Sequence, residues 1–175
     1  LNLSTFNGCG GWCKLDNGTI NVGRNITITN GGYQGTAILN MTGSTNATYT
    51  ISGTTSIPSG SVTINKSSST NTVTLASNMP LSNTSQALTI TSGVLDLSGY
   101  TLTVNSALTI GVSGGLLCNG GTYSSGSLSN SGTLDCAGYP FNWTGAGANA
   151  NWNTAANWAG GAAPNSTQVA IFKDA

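Results

Sequence analysis

The chain is 175 residues long, enough for a domain with a real hydrophobic core. Its apolar share of 38% is ordinary, but charged residues make up only 5%, and four basic side chains balance four acidic ones. That balance argues against a nucleic-acid partner, which needs a basic patch to displace counterions, and against electrostatic attachment to an anionic membrane. Ser, Thr, Asn and Gly take the place of Lys and Glu, the composition of an extracellular all-β surface built from hydroxyls and amides. No apolar run is long enough to insert in a membrane. The start lacks a basic-then-apolar signal, so Leu1 is expected to open either a processed chain or an interior slice of a longer one.

Residues 1–17 carry the first cysteine pair, Cys9 and Cys13, inside a Gly-rich turn. The usual two-residue spacing of a redox pair is absent, so a disulfide-closed turn is the expected reading. From Gly18 short strands recur, each with apolar residues alternating with Thr or Ser: Ala37–Met41, Thr48–Ile51, Ser61–Ile64, Thr72–Leu75, Ala87–Ile90, Thr101–Val104 and Ala107–Ile110. Such period-two patterning between Gly, Ser and Asn is the signature of half-buried strands. The stretch Gly18–Ile28 reads as a weaker copy of Gly93–Val104. Asn-Gly at Asn17, Asn30 and Asn119, with Ser-Gly pairs, marks the corners.

One phrase is written three times. It begins at Ser92 (Ser-Gly-Val-Leu-Asp-Leu), at Ser113 (Ser-Gly-Gly-Leu-Leu-Cys) and at Ser131 (Ser-Gly-Thr-Leu-Asp-Cys). Recurrence at about one coil length marks a stacked architecture, because no single copy can bury its apolar face alone. Antiparallel neighbours in a sandwich would not align in phase this way. The expected fold is therefore all-β, a parallel β-helix (β-solenoid) with irregular rung lengths. The six-residue repeat of the left-handed kind is missing, so a right-handed helix is expected. If successive copies stack in register, Cys118 lies directly over Cys136. Neighbouring strands are about 4.8 Å apart, inside the roughly 4.4–6.8 Å that a disulfide spans. A Cys118–Cys136 bridge is the expected reading, against the alternative of two reduced, buried cysteines.

After Tyr139 the texture changes, which divides the chain into solenoid rungs over 1–139 and a Trp/Asn/Ala/Gly-rich segment over 140–175. That segment holds Trp143, Trp152 and Trp158 and ends in a strand-like run, Gln168–Phe172, expected to continue or join the solenoid. The pattern Trp143-Thr144-Gly145-Ala146, then Trp152, Asn157-Trp158, Gly160-Gly161 and Pro164 before an apolar strand resembles a segment of large bacterial secreted surface proteins. These are β-helical proteins of the autotransporter-adhesin and filamentous-haemagglutinin type. The Ser-Gly-x-Leu phrases upstream are similar to their rungs. The resemblance implies an extracellular or cell-surface structural or adhesive role, and it carries over no catalytic residues.

Chemistry is sparse. The chain has no Glu and no His, and its acids are Asp16, Asp96, Asp135 and Asp174. Asp96 and Asp135 share one outward column two rungs apart, about 9.6 Å by strand spacing. That is close to the roughly 6.5–9.5 Å between the carboxyls of an inverting glycosidase, but Leu117 stands between them. Their expected role is local bonding to backbone amides. No zinc or calcium site is expected, since His and a dense carboxylate cluster are both missing, and nothing calls for a cofactor. Catalytic residues are therefore expected to be absent. Paired threonines (Thr27/Thr29, Thr48/Thr50, Thr72/Thr74, Thr89/Thr91, Thr101/Thr103) raise an ice- or polymer-binding face, against which their irregular spacing counts. Trp143, Trp152 and Trp158 are read as packing aromatics or as a sugar-stacking platform. Three function classes follow in order: an extracellular rod that self-associates into a fibre or continues in a longer chain; a carbohydrate- or ice-binding module meeting surface polysaccharide; and a polysaccharide-active enzyme.

Overall fold

The structure is a computed structural model that describes residues 2–3, 6–7, 13–14, 16–29, 33–52, 57–136, 141–158, 163 and 170–171. The chain divides into two compact units, Leu1–Cys136 and Ala137–Ala175.

The first unit is a β-solenoid of stacked, parallel coils. On a first face Asn2–Leu3, Thr19–Val22, Ile38–Met41 and Val62–Asn65 lie in succession, followed by the start of Leu88–Asp96, the middle of Thr101–Leu117 and the end of Thr122–Asn130. The register there runs Asn21–Asn40–Thr63–Thr89–Thr109–Ser129. A second face stacks Phe6–Asn7, Ile26–Thr29, Ala47–Ser52 and Thr72–Leu75, then the end of Leu88–Asp96, the end of Thr101–Leu117 and Thr133–Asp135. A third face joins Met79–Leu81 to the beginnings of Thr101–Leu117 and Thr122–Asn130. Elsewhere Cys13–Lys14 pairs with Tyr33–Gln34. In-register partners one coil apart are separated by as few as 18 residues and as many as 26, so rung length is irregular.

The alternation read from the sequence sets the core. On the first face Ile20, Leu39, Val62, Leu88 and Leu108 form one inward column, and Val22, Met41, Ile64, Ile90 and Ile110 a second. On the second face Ala47, Val73, Leu95 and Leu116 form one inward column, and Ile26, Tyr49 and Leu75 another. All are buried, and each large aliphatic one withdraws enough apolar surface to stabilise the fold by about 1.5–3 kcal/mol.

The three Ser-Gly phrases stack as the repeat implies: Ser92 on Ser113, Leu95 on Leu116 on Leu134, and Asp96 on Leu117 on Asp135. Each Ser-Gly is the corner where the chain passes from the first face to the second. A Cβ at Gly114 would press on the Ile90 carbonyl oxygen of the coil beside it, so only glycine fits that approach. The next corner is a two-residue turn with both central residues at positive φ, Ser98 (48°) and Gly99 (87°), then again Asn119 (42°) and Gly120 (83°). Asn and Gly tolerate that region best. Asn30 lies outside the described residues.

Two strand assignments differ. Ala87–Ile90 is part of one strand running on through the corner as Leu88–Asp96, and Thr101–Val104 with Ala107–Ile110 merge into Thr101–Leu117. These corners stay extended enough to keep pairing, with register shifts where they bend. The likeness of Gly18–Ile28 to Gly93–Val104 also does not place the two alike. Ile20 belongs to the first face and Leu95 to the second, because a strand–turn–strand phrase suits any corner of a coil.

The second unit, described by itself, contains a parallel pair of Phe141–Asn142 with Ala170–Ile171 and an antiparallel bridge between Trp143 and Trp158. A single 3-10 turn, Ala155–Asn157, precedes Trp158.

Candidate functional site

The outward columns are ladders of amides and hydroxyls. The Asn40 Nδ2 donates to Asn21 Oδ1 at 2.8 Å, and the Thr101 and Thr122 hydroxyls lie 3.2 Å apart. The irregular sequence spacing does not break these ladders, because the extra residues of longer coils leave as loops and the strands stay in register. The threonine pairs do not form one array, however. Thr89 lies on the first face, Thr48 and Thr74 share a second-face column, and Thr101 and Thr103 lie on the third.

Asparagines at the corners perform a task that composition did not reveal. Asn25 Oδ1 accepts the Thr48 N–H at 3.0 Å, Asn46 Oδ1 accepts that of Thr72 at 2.9 Å, and Asn78 Oδ1 accepts that of Thr101 at 2.9 Å. Each amide oxygen thus satisfies a donor at the first or second residue of a strand in the following coil.

Two buried polar side chains cross between coils. Lys66 is 2% exposed, and its ammonium donates to the carbonyl oxygens of Gly23 (3.0 Å) and Thr42. Burial lowers its pKa from the ordinary lysine value. Gln86 Nε2 donates to the Pro58 carbonyl at 2.6 Å. Nothing in the local sequence separates Lys66 from an exposed lysine except its position at a strand end in a charge-poor chain.

Asp96 accepts the Ser98 N–H through Oδ1 at 2.9 Å, a local turn bond. Asp96 and Asp135 are separated in their column by Leu117. Beyond Asp96 the column continues through Thr74 and Thr48. Among the described residues no three His, Cys, Asp or Glu side chains gather as a metal site would require.

Cys118 and Cys136 are joined by a disulfide between adjacent coils, with Cα atoms 4.4 Å apart. The ladder runs through this point, as Leu97 N–H donates to Leu117 O (2.9 Å) and Cys118 N–H to Asp135 O (2.7 Å). Cys9 and the Cys13 side chain lie outside the described residues.

In the second unit the three tryptophans gather around Trp158. Its ring packs edge-to-face with Trp143 at 5.0 Å and with Trp152 at 4.8 Å, and its Nε1 donates to the Trp152 carbonyl at 2.7 Å. Trp158 is buried, Trp143 half-buried, and Trp152 44% exposed. Asn157, fully buried, organises the loop around them. Its Oδ1 accepts the Gly147 N–H (2.7 Å), and its Nδ2 donates to the Asn149 (2.7 Å) and Asn151 (3.0 Å) carbonyls. The three residues are thus not equivalent: Trp158 is buried, Trp143 half-buried and Trp152 exposed.

Comparisons with protein families, characterised proteins and solved structures found no match to this chain.

Proposed function

We propose that this chain is an extracellular structural protein, a β-solenoid rod serving as a filament subunit or adhesin stalk. One observation carries the reading: the inter-coil ladder runs from the first described coil to the last and buried apolar columns fill it as far as Leu108, Ile110 and Leu116, while polar side chains tie coil to coil. Lys66, Gln86, Asn25, Asn46 and Asn78 all bond to backbone of another coil. A parallel ladder along one axis resists extension along that axis through many backbone bonds at once. Association through strand edges is part of the proposal, because an uncovered edge pairs with another chain. Electron microscopy of the purified native particle with symmetry analysis tests it. Rods or fibres with a repeat of about 4.8 Å along the long axis support it, and compact particles with polysaccharide turnover refute it.

A second reading has its own observation. Trp152, 44% exposed, in edge-to-face contact with Trp158 and flanked by exposed Asn151 and Asn153, is a residue suited to stack on the apolar face of a neutral sugar ring. Glycan-array binding that disappears in Trp152→Ala, with the fold retained, supports surface polysaccharide as a ligand. Equal binding by the variant removes this reading.

A further inference from the structure

The last coil of the first unit differs from those before it. Where the third face has Leu102 and Val104 inside, it carries Tyr123 and Ser125. Where the first face has Leu108 and Ile110, it carries Leu128 and Asn130. Leu128 is 44% exposed, every residue from 126 to 131 is exposed, and Asn130 turns back on its own corner, accepting the Gly132 N–H at 3.0 Å. The layer beneath is a finished core: Leu108, Ile110 and Leu116 are at most 1% exposed. Thr122–Asn130 and Thr133–Asp135 both pair with Thr101–Leu117. Tyr123, Leu134 and Cys136 of this coil are only partly buried against the core and its first-face part is exposed, yet the edge it covers is apolar. Its two ends are brought together by Cys118, immediately before the Asn119-Gly120 turn, and Cys136, the last residue of the unit.

We propose that Thr122–Cys136 is a lid coil latched by the Cys118–Cys136 disulfide, and that the edge beneath it accepts the lid coil of a second copy of this chain. The occupant follows from what is seated there: the lid already matches that edge in register, Leu108 to Leu128 and Leu116 to Leu134. An opened copy offers one edge and one loose coil, so reciprocal exchange satisfies both and closes as a symmetric pair. Opening is a thiol–disulfide exchange. A small thiolate attacks the Cys136 sulfur, the more accessible of the two, and a second thiol displaces the mixed disulfide. Two thiols become one small-molecule disulfide, and Cys118 and Cys136 each end as a thiol. Re-oxidation by a small-molecule disulfide then locks either the original pairing or the exchanged one. The proposal rests on the structural reading only in taking a second copy as the partner.

The test mixes Cys118→Ser with Cys136→Ser at high concentration under a glutathione redox buffer, both retaining Cys9 and Cys13. Exchange predicts a covalent heterodimer whose linking peptide joins Cys136 of the first variant to Cys118 of the second. Hydrogen exchange on the Cys118→Ser/Cys136→Ser double variant should show amides of 122–135 exchanging on the order of a hundredfold faster, the scale for opening an 18-residue loop, with 62–96 still protected. Unchanged protection of 122–135 overturns the latch, as does loss of protection throughout the solenoid. Folded variants that give no Cys136–Cys118 crosslink overturn the exchange. Should a variant fail to fold, an equal mixture of unlabelled and 15N-labelled wild type that is reduced, concentrated and re-oxidised decides the matter: Cys118–Cys136 peptides with one labelled and one unlabelled half support exchange, and their absence refutes it. Rod-shaped oxidised particles with a fixed lid would defeat this inference and leave the structural reading standing.

Discussion

Replacing Tyr49 by phenylalanine should stabilise the protein, and increasingly so in alkali. Tyr49 is fully buried in the second-face column between Ile26 and Leu75, and its hydroxyl has no hydrogen-bond partner among the described residues. An unsatisfied buried hydroxyl costs roughly 1–3 kcal/mol. Phe keeps the ring and its packing, so Tyr49→Phe should gain about 1–2 kcal/mol at pH 7, or about 2–8 °C in Tm for a chain of this size. The pH dependence has a definite sign. Burial raises the Tyr49 pKa above its ordinary value, so the native state holds the phenolic proton while the unfolded chain releases it near pH 10. Wild type therefore loses stability as pH rises through about 10, by about 1.4 kcal/mol at pH 11, and the variant lacks that loss. Half-buried Tyr123, also raised by burial, adds a loss of the same sign. Lys66, lowered by burial, acts oppositely, because its native form binds fewer protons and gains stability between its native pKa and the unfolded value. Both groups are present in wild type and variant, so the comparison isolates Tyr49. Urea titrations of the oxidised proteins at pH 7 and pH 11 provide the measurement. A variant less stable at pH 7, or a difference that does not widen at pH 11, would refute the argument.

Leu95→Ala should cost about 2–5 kcal/mol, since Leu95 is fully buried between Val73 and Leu116. Leu117→Ala, in the outward column, should cost much less, and equal losses by chemical denaturation would reverse the assigned facing. Lys66→Met strips the Gly23 and Thr42 carbonyls of a shared donor, so a loss of roughly 1–3 kcal/mol is expected. A neutral or stabilising result by the same titration would show that removing the buried charge outweighs those bonds. Asn157→Ala removes three backbone bonds in the second unit and should expose Trp158. Its tryptophan emission should shift to the red, and an unchanged spectrum would deny Asn157 its organising role.

Strand identity was readable because period two is a local property: Leu95 and Leu97 have to face away from Asp96 whatever lies beside them. The repeat made the vertical neighbours of one face readable too, from Ser92, Ser113 and Ser131 onward. Lys66 was opaque, because its partners belong to residues 24 and 43 positions earlier in the chain. The Asn corner bonds were opaque for the same reason, each reaching 23 or 26 residues ahead. Trp152 and Trp158 could not be told apart by composition. Their difference arises from the Asn157 loop, which buries one ring and leaves the other exposed.

The linear sequence by itself determined an all-β chain of parallel coils, the inward identity of its Leu, Ile and Val, and the corners that Gly, Asn and Ser turn. Those are properties of a residue and its next few neighbours. Tertiary stacking alone decided which coil supports which, that spacing irregular along the chain becomes a regular ladder in space, and that the coil ending at Cys136 has polar residues in apolar columns. The physical reason is that inserted residues cost little when they leave as loops, while a strand that slips by one residue exposes its whole apolar face. The chain therefore holds its register and lets its length vary, and only the folded stack shows where each residue falls.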